Sequence, residues 1–204
     1  MNSLKIYYKQ RINLALWSLV TLFLVALSLQ EFHLSKFHIL SFPFVLFFLL
    51  NMRLFDDLAN VEFDANKENR AYTNPIHQQD LKKLLIAGNL ILLITLFLFS
   101  QQRALYLFLF LLLNQFFYAF FIKVGNFRYF LPLLKYPFVI FLLNLSYSYT
   151  ISEVFIAFIV FEILDDKTFP GELLSSNKIS LKTQKVLAYL FLLLILVFHL
   201  ILIY

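Results

Sequence analysis

The chain has 204 residues, 61% of them hydrophobic and 19% aromatic, with a mean hydropathy of +0.80. Soluble domains are roughly 45–50% apolar. A water-soluble protein of this size has no interior large enough for 27 Phe, so an integral membrane protein is expected. The lack of cysteine excludes disulfides, thiolate catalysis and Cys-ligated metals, and three glycines leave no Gly-rich phosphate loop. The net charge of +5 comes from basic residues gathered between apolar runs, which reads as a topology signal and not as a nucleic-acid one.

In chain order, Lys5, Lys9 and Arg11 precede an apolar run starting near Leu14. That run is long and no A-x-A cleavage pattern follows it, so a retained first span is expected rather than a signal peptide. A hydrocarbon core of about 30 Å takes roughly 20 apolar residues of helix. Runs of that kind lie at about 13–30, 38–55, 83–100, 104–122, 129–147, 149–164 and 186–204, which makes seven spans. They are continuous in Leu and Phe without period-2 alternation, so they are helices and not barrel strands. The expected fold is therefore all-α, a polytopic transmembrane bundle forming a single domain over 1–204.

With seven spans, Lys5, Lys9, Arg11, Arg53, Lys67, Arg70, Lys82, Lys83, Lys123, Arg128, Lys167, Lys178, Lys182 and Lys185 all fall on one side. The other side receives Lys36 and Arg103. The positive-inside rule then puts the N-terminus and both long polar loops, about 56–82 and 165–185, in the cytoplasm. Asn74-Pro75 reads as the cap and first turn of the helix that carries the third span. Lys135 lies inside the fifth span between Pro132 and Pro137. It is expected to snorkel to the interface, the other choice being a carboxylate or phosphate in a cavity. Asn89, Asn114, Gln115 and Asn144 are expected to hydrogen-bond between helices.

The chemistry concentrates at two acidic span ends. In 53–70, RLFDDLANVEFDANKENR, the residues Asp57, Asn60 and Asp64 are spaced i, i+3 and i+7, which places them on one face of a helix. Arg53 is four residues before Asp57 and can pair with it. In 161–167, FEILDDK, Glu162 and Asp166 are spaced i and i+4 with Asp165 between. Carboxylates at a helix C-terminus oppose the helix dipole, which makes a bound cation attractive. Two such edges suit Mg²⁺ and, through it, a diphosphate.

These segments resemble the UbiA-type membrane prenyltransferase superfamily. Its members carry N/D-D-x-x-D-x-x-x-D after the second span and D-x-x-x-D after the sixth, and some bacterial members read R-x-F-D-D-x-x-D-x-E-x-D. Here the first motif corresponds to Arg53-Leu54-Phe55-Asp56-Asp57, Asn60, Glu62 and Asp64, with Arg70 at the arginine of the following R-P-L-P-x-G; the second corresponds to Glu162 through Asp166. The chain departs at Asn60 and Glu162, where the family has aspartate, and at AYTNP after Arg70. It also has seven expected spans where the family has nine, so a wall of the substrate cavity is either missing or supplied by another chain of an oligomer.

The resemblance implies a UbiA-like bundle, a bacterial inner membrane, and Mg²⁺-dependent transfer of a prenyl group from an isoprenyl diphosphate to a lipophilic acceptor. It implies Mg²⁺ held by Asp57, Asn60, Asp64, Glu162 and Asp166, with Asp56 and Asp165 as alternative ligands, and Asp57, Asp64 and Asp166 as the catalytic carboxylates. Arg53, Arg70, Lys123 and Arg128 would donate to the diphosphate. The aromatic run Phe116, Phe117, Tyr118, Phe120 and Phe121 offers rings to line an isoprenoid tunnel, although most rings are expected to face lipid. Two other functions fit the composition: a non-catalytic isoprenoid-binding relative or complex subunit, and a small cation transporter, which would need carboxylates nearer mid-bilayer.

Overall fold

Apolar runs in hydrocarbon must satisfy their backbone amides within the segment, so they coil. A computed structural model describes residues 2–28, 36–64, 70–121, 131–145 and 154 of the chain, and these are helical with no strand among them. Helix α1 is Asn2–Arg11 and α2 is Leu14–Leu27, bent by 71° from α1. Asn13 separates them by capping α2, its Oδ1 accepting from Leu16 N at 3.2 Å. Helix α3, Lys36–Ala59, runs through the acidic residues Asp56 and Asp57, and a short α4, Val61–Asp64, follows. After a 3-10 turn at Ala71–Thr73, α5 spans Pro75–Phe99 and α6 spans Gln101–Phe121. The expected start at Asn74-Pro75 is found: Asn74 Oδ1 accepts from Ile76 N at 3.0 Å.

Among the described residues two helices, α5 and α6, are long and apolar enough to cross a membrane, and the bent pair α1 and α2 makes a third if it is one span. The buried residues of α5 are Leu81, Gly88, Leu92 and Leu96, a single stripe. Around it Ile86, Leu90, Ile94, Phe97 and Leu98 are all more than half exposed. A water-facing helix shows polar groups there; an outward apolar surface of this size is stable against lipid. Phe116 and Phe120 of α6 face outward in the same way, whereas Tyr118 turns inward. Of the expected sixth span only Val154 is described, buried in the core, and the seventh lies outside the described residues.

The fifth expected span is shorter than the pattern 129–147 suggested. A 3-10 turn, Leu131–Leu134, leads into α7, Lys135–Asn144, whose ten residues rise only about 15 Å. Pro132 sits in the 3-10 turn and Pro137 in the first helical turn, where a missing N–H costs no intrahelical bond. At the far end Arg103 donates to the carbonyls of Leu142 at 2.9 Å and Leu143 at 3.0 Å, closing off α7.

The apolar core lies between α2, α3, α5, α6 and α7, with Leu24, Phe48, Leu49, Leu92, Leu107 and Ile140 at its centre. A neutral polar contact crosses it. Asn51 of α3 donates to Asn89 Oδ1 of α5 at 2.7 Å, as expected for Asn89, and lies against Gly88. At the acidic end of α3 a second buried layer takes over, built from Tyr7, Leu54, Ala71, Tyr72 and Leu81. That layer carries the site.

Candidate functional site

Consecutive helical residues point about 100° apart. Asp56 and Asp57, adjacent at the end of α3, therefore serve opposite sides of it. Asp56 turns toward α6 and α7: Tyr118 donates to its Oδ1 at 2.5 Å and Lys135 pairs with its Oδ2. Lys135 is thus buried against a carboxylate, and the expected snorkelling to the interface does not occur. The physical reason is placement. As the first residue of α7, behind the 3-10 turn, Lys135 has a buried partner, and separating the two would strand a charge on each side.

Asp57 turns toward α1. Arg11 forks onto it, Nε to Oδ2 at 3.0 Å and Nη2 to Oδ1 at 2.6 Å, and Tyr7 donates to Oδ2 at 2.9 Å. Arg53 adds the expected i,i+4 ion pair at 3.4 Å. Burial raises the Tyr7 phenol above its ordinary range, and the neighbouring Asp57 charge raises it further.

Asp64, at the end of α4, repeats the pattern. Tyr72 donates to its Oδ2 at 2.5 Å, and Arg70 pairs with the same oxygen at 3.3 Å while also donating to the Tyr72 hydroxyl at 2.5 Å. Tyr72 ties the last two groups together: the guanidinium carbons of Arg11 and Arg70 lie 5.4 and 5.8 Å from its ring centroid. Burial pushes the Tyr72 phenol up to about 12; the hydrogen bond to Asp64 adds to this and the one from Arg70 opposes it. Beside this cluster an open cleft of about 490 Å³ is lined by Ile6, Gln10, Arg70, Thr73, Asn74 and His77.

Each of the three aspartates therefore has a tyrosine hydroxyl and at least one cation of its own. Asn60 does not join them: its Nδ2 donates to the Asp56 backbone carbonyl at 2.8 Å, a helix-end contact. The predicted set thus divides. Arg53, Asp57, Asp64 and Arg70 share one polar cluster with Arg11 and Tyr72, whereas Asp56 belongs to a separate buried pair. Glu162, Asp165, Asp166, Lys123 and Arg128 lie outside the described residues. Among the described residues no three His, Cys, Asp or Glu side chains gather around one point. The donor chemistry of Asp57, Asn60 and Asp64 suits Mg²⁺, being all hard oxygen, and the chain's own guanidiniums lie on the carboxylates of Asp57 and Asp64.

Sequence reading passed over Tyr7 and Tyr72 as site residues, gave Tyr118 only as a ring of the aromatic run, and did not link Arg11 to a carboxylate. Arg11 counts there as a topology charge, and nothing in its spacing links it to a residue 46 positions away. Lys135 had a signal, a charge within an apolar run. No family model, curated protein or solved structure matches the chain.

Proposed function

We propose that the chain is a seven-span, UbiA-like bundle that transfers a prenyl group from an isoprenyl diphosphate to a lipophilic acceptor in a bacterial inner membrane, with its N-terminus and acidic loops cytoplasmic. The observation that carries this reading is the polar cluster in which Arg53 and Arg11 hold Asp57, while Tyr72 lies against Arg11 and joins it to Asp64 and Arg70. Charged groups at membrane depth are costly and serve function more often than packing.

In this reading Asp57, Asn60 and Asp64, with Glu162 and Asp166 from the second motif, would hold Mg²⁺. The metal's charge would offset the negative charge that grows on a departing diphosphate. Arg53 and Arg70 stand beside those carboxylates and can donate to phosphate oxygens. Lys123 and Arg128, which follow α6 in the sequence, would add donors. Asp56, already paired with Lys135 and Tyr118, would anchor the end of α3 from behind rather than bind metal. The apolar bundle beside the cluster excludes water, and its aromatic rings suit an isoprenoid chain.

The test is retention of radiolabelled prenyl diphosphate with Mg²⁺ by the purified chain. Binding that is lost in Asp57→Asn and Asp64→Asn is expected; no binding under conditions where a UbiA-type enzyme binds would refute the reading.

A second reading has its own observation. The Asn60 amide is held by a backbone carbonyl, and Asp56, Asp57 and Asp64 are each paired with an internal cation, which suits a non-catalytic isoprenoid-binding relative or complex subunit. Asn60→Asp separates the two. Stronger metal-dependent diphosphate binding is expected of an enzyme that lacks one ligand, and no change is expected of a subunit.

A further inference from the structure

Helix α1 is polar and only ten residues long, and it is fixed at both ends. At its start the Ser3 hydroxyl donates to Asp80 Oδ2 at 2.7 Å and lies 2.9 Å from His77 Nδ1. A serine hydroxyl has one hydrogen, so with that hydrogen on Asp80 the imidazole must be the donor to Ser3 Oγ. At its end Gln10 Oε1 accepts from the Ala71 backbone amide at 2.9 Å, and Tyr7 and Arg11 hold Asp57. Among the described residues α1 supplies three of the four donors on the Asp57 carboxylate: Tyr7 Oη, Arg11 Nε and Arg11 Nη2. The fourth, Arg53 Nη2, is the most distant at 3.4 Å.

We propose that α1 is a strap that competes with a divalent cation for Asp57, so that filling the acidic site undocks the N-terminal helix. The inference rests on the metal-binding reading above. A cation on Asp57 needs the lone pairs that Arg11 and Tyr7 now occupy, and both come from the same short helix. Once they are displaced, Ser3 and Gln10 remain as polar tethers of α1 to α5 and the Ala71 turn. The linkage is reciprocal: whatever loosens α1 tightens cation binding by the same factor. The Arg11 side chain is 19% exposed and the Asp57 carboxylate beneath it 5%, so the pair can be opened from its arginine side, unlike the Lys135–Asp56 pair at 3% and 4%.

The experiment uses the full chain in detergent, Mn²⁺ alone as the probe, and hydrogen exchange of residues 3–11 as the readout beside Mn²⁺ affinity. Mn²⁺ is expected to raise exchange throughout 3–11. Arg11→Gln is expected to bind Mn²⁺ about tenfold more tightly, the equivalent of about 1.4 kcal/mol. Ser3→Ala loosens the strap at its other end without touching the Asp57 carboxylate, and is expected to tighten Mn²⁺ binding several-fold. Bound Mn²⁺ with unchanged exchange in 3–11 overturns the strap alone, as does unchanged affinity in Ser3→Ala. Weaker binding in Arg11→Gln also overturns it, because Arg11 would then support the loaded site. Failure of all three proteins to bind Mn²⁺ overturns the metal-binding reading with it.

Discussion

Asp56 and Asp57 are neighbours in the chain and carry the same chemistry, a carboxylate with a tyrosine and a cation, yet they do different work. The Asp56 group is sealed between α3, α6 and α7, and both its charged side chains are almost wholly buried. The Asp57 group stands at the rim with two arginines, one 19% and the other 31% exposed. A sealed pair cannot trade partners without leaving a charge in a medium of low dielectric. The Asp57 carboxylate is 5% exposed, but its two cations are redundant and reachable from water. One helical step of rotation thus separates a sealed pair from one whose cations face the rim.

The largest expected effect breaks the sealed pair. Lys135→Met leaves Asp56 buried without its cation and should cost about 3–5 kcal/mol, read as a lower unfolding midpoint in detergent. The double variant Lys135→Met with Asp56→Leu should recover most of that loss, and a double variant as unstable as the single would mean the site is not sealed. Next comes the neutral polar contact in the same bundle. A Cβ at Gly88 would overlap Asn51 Oδ1 and approach its Cγ to 2.9 Å, so Gly88→Ala must displace Asn51 from Asn89. A loss of about 1–3 kcal/mol is expected, and Asn51→Ala in the same background should relieve the steric part of it.

At the rim the effects shrink. Tyr72→Phe removes a hydrogen bond to a charged group and should cost about 1.5 kcal/mol near neutral pH. Its sharper signature is in alkali. The folded Tyr72 phenol titrates near 12, above its ordinary value of 10.0, so its contribution is whole below pH 10 and fades as pH rises toward 12. An alkaline melting series should therefore be shallower for Tyr72→Phe than for the wild type. The smallest effect is on the Asp57 side: Arg11→Gln leaves Arg53 and Tyr7 in place and should cost about 1 kcal/mol or less, with a dependence on salt that Lys135→Met lacks. Equal losses for Arg11→Gln and Lys135→Met would erase the distinction between rim and interior.

Much of the helical content was legible in the residues. The Leu- and Phe-rich runs, the Asn74-Pro75 start and the Arg53–Asp57 spacing all depend on interactions within five residues, and local chemistry decides those. The motif itself was also legible as an acidic cluster at the end of an apolar run. Its expected common face was not kept, because Asn60 turns back onto the Asp56 carbonyl and α4 starts a new short helix.

By composition alone this chain is committed to burying apolar helices, since no arrangement of 27 Phe can be hidden from water within 204 residues. Tertiary structure decided who neutralises whom. Tyr7, Arg11, Tyr118 and Lys135 reach Asp56 and Asp57 across 46 to 79 residues of chain, and only the packing of α1, α6 and α7 around the end of α3 brings them there. Charge pairing acts over a few ångströms of space, and sequence separation carries no information about that distance.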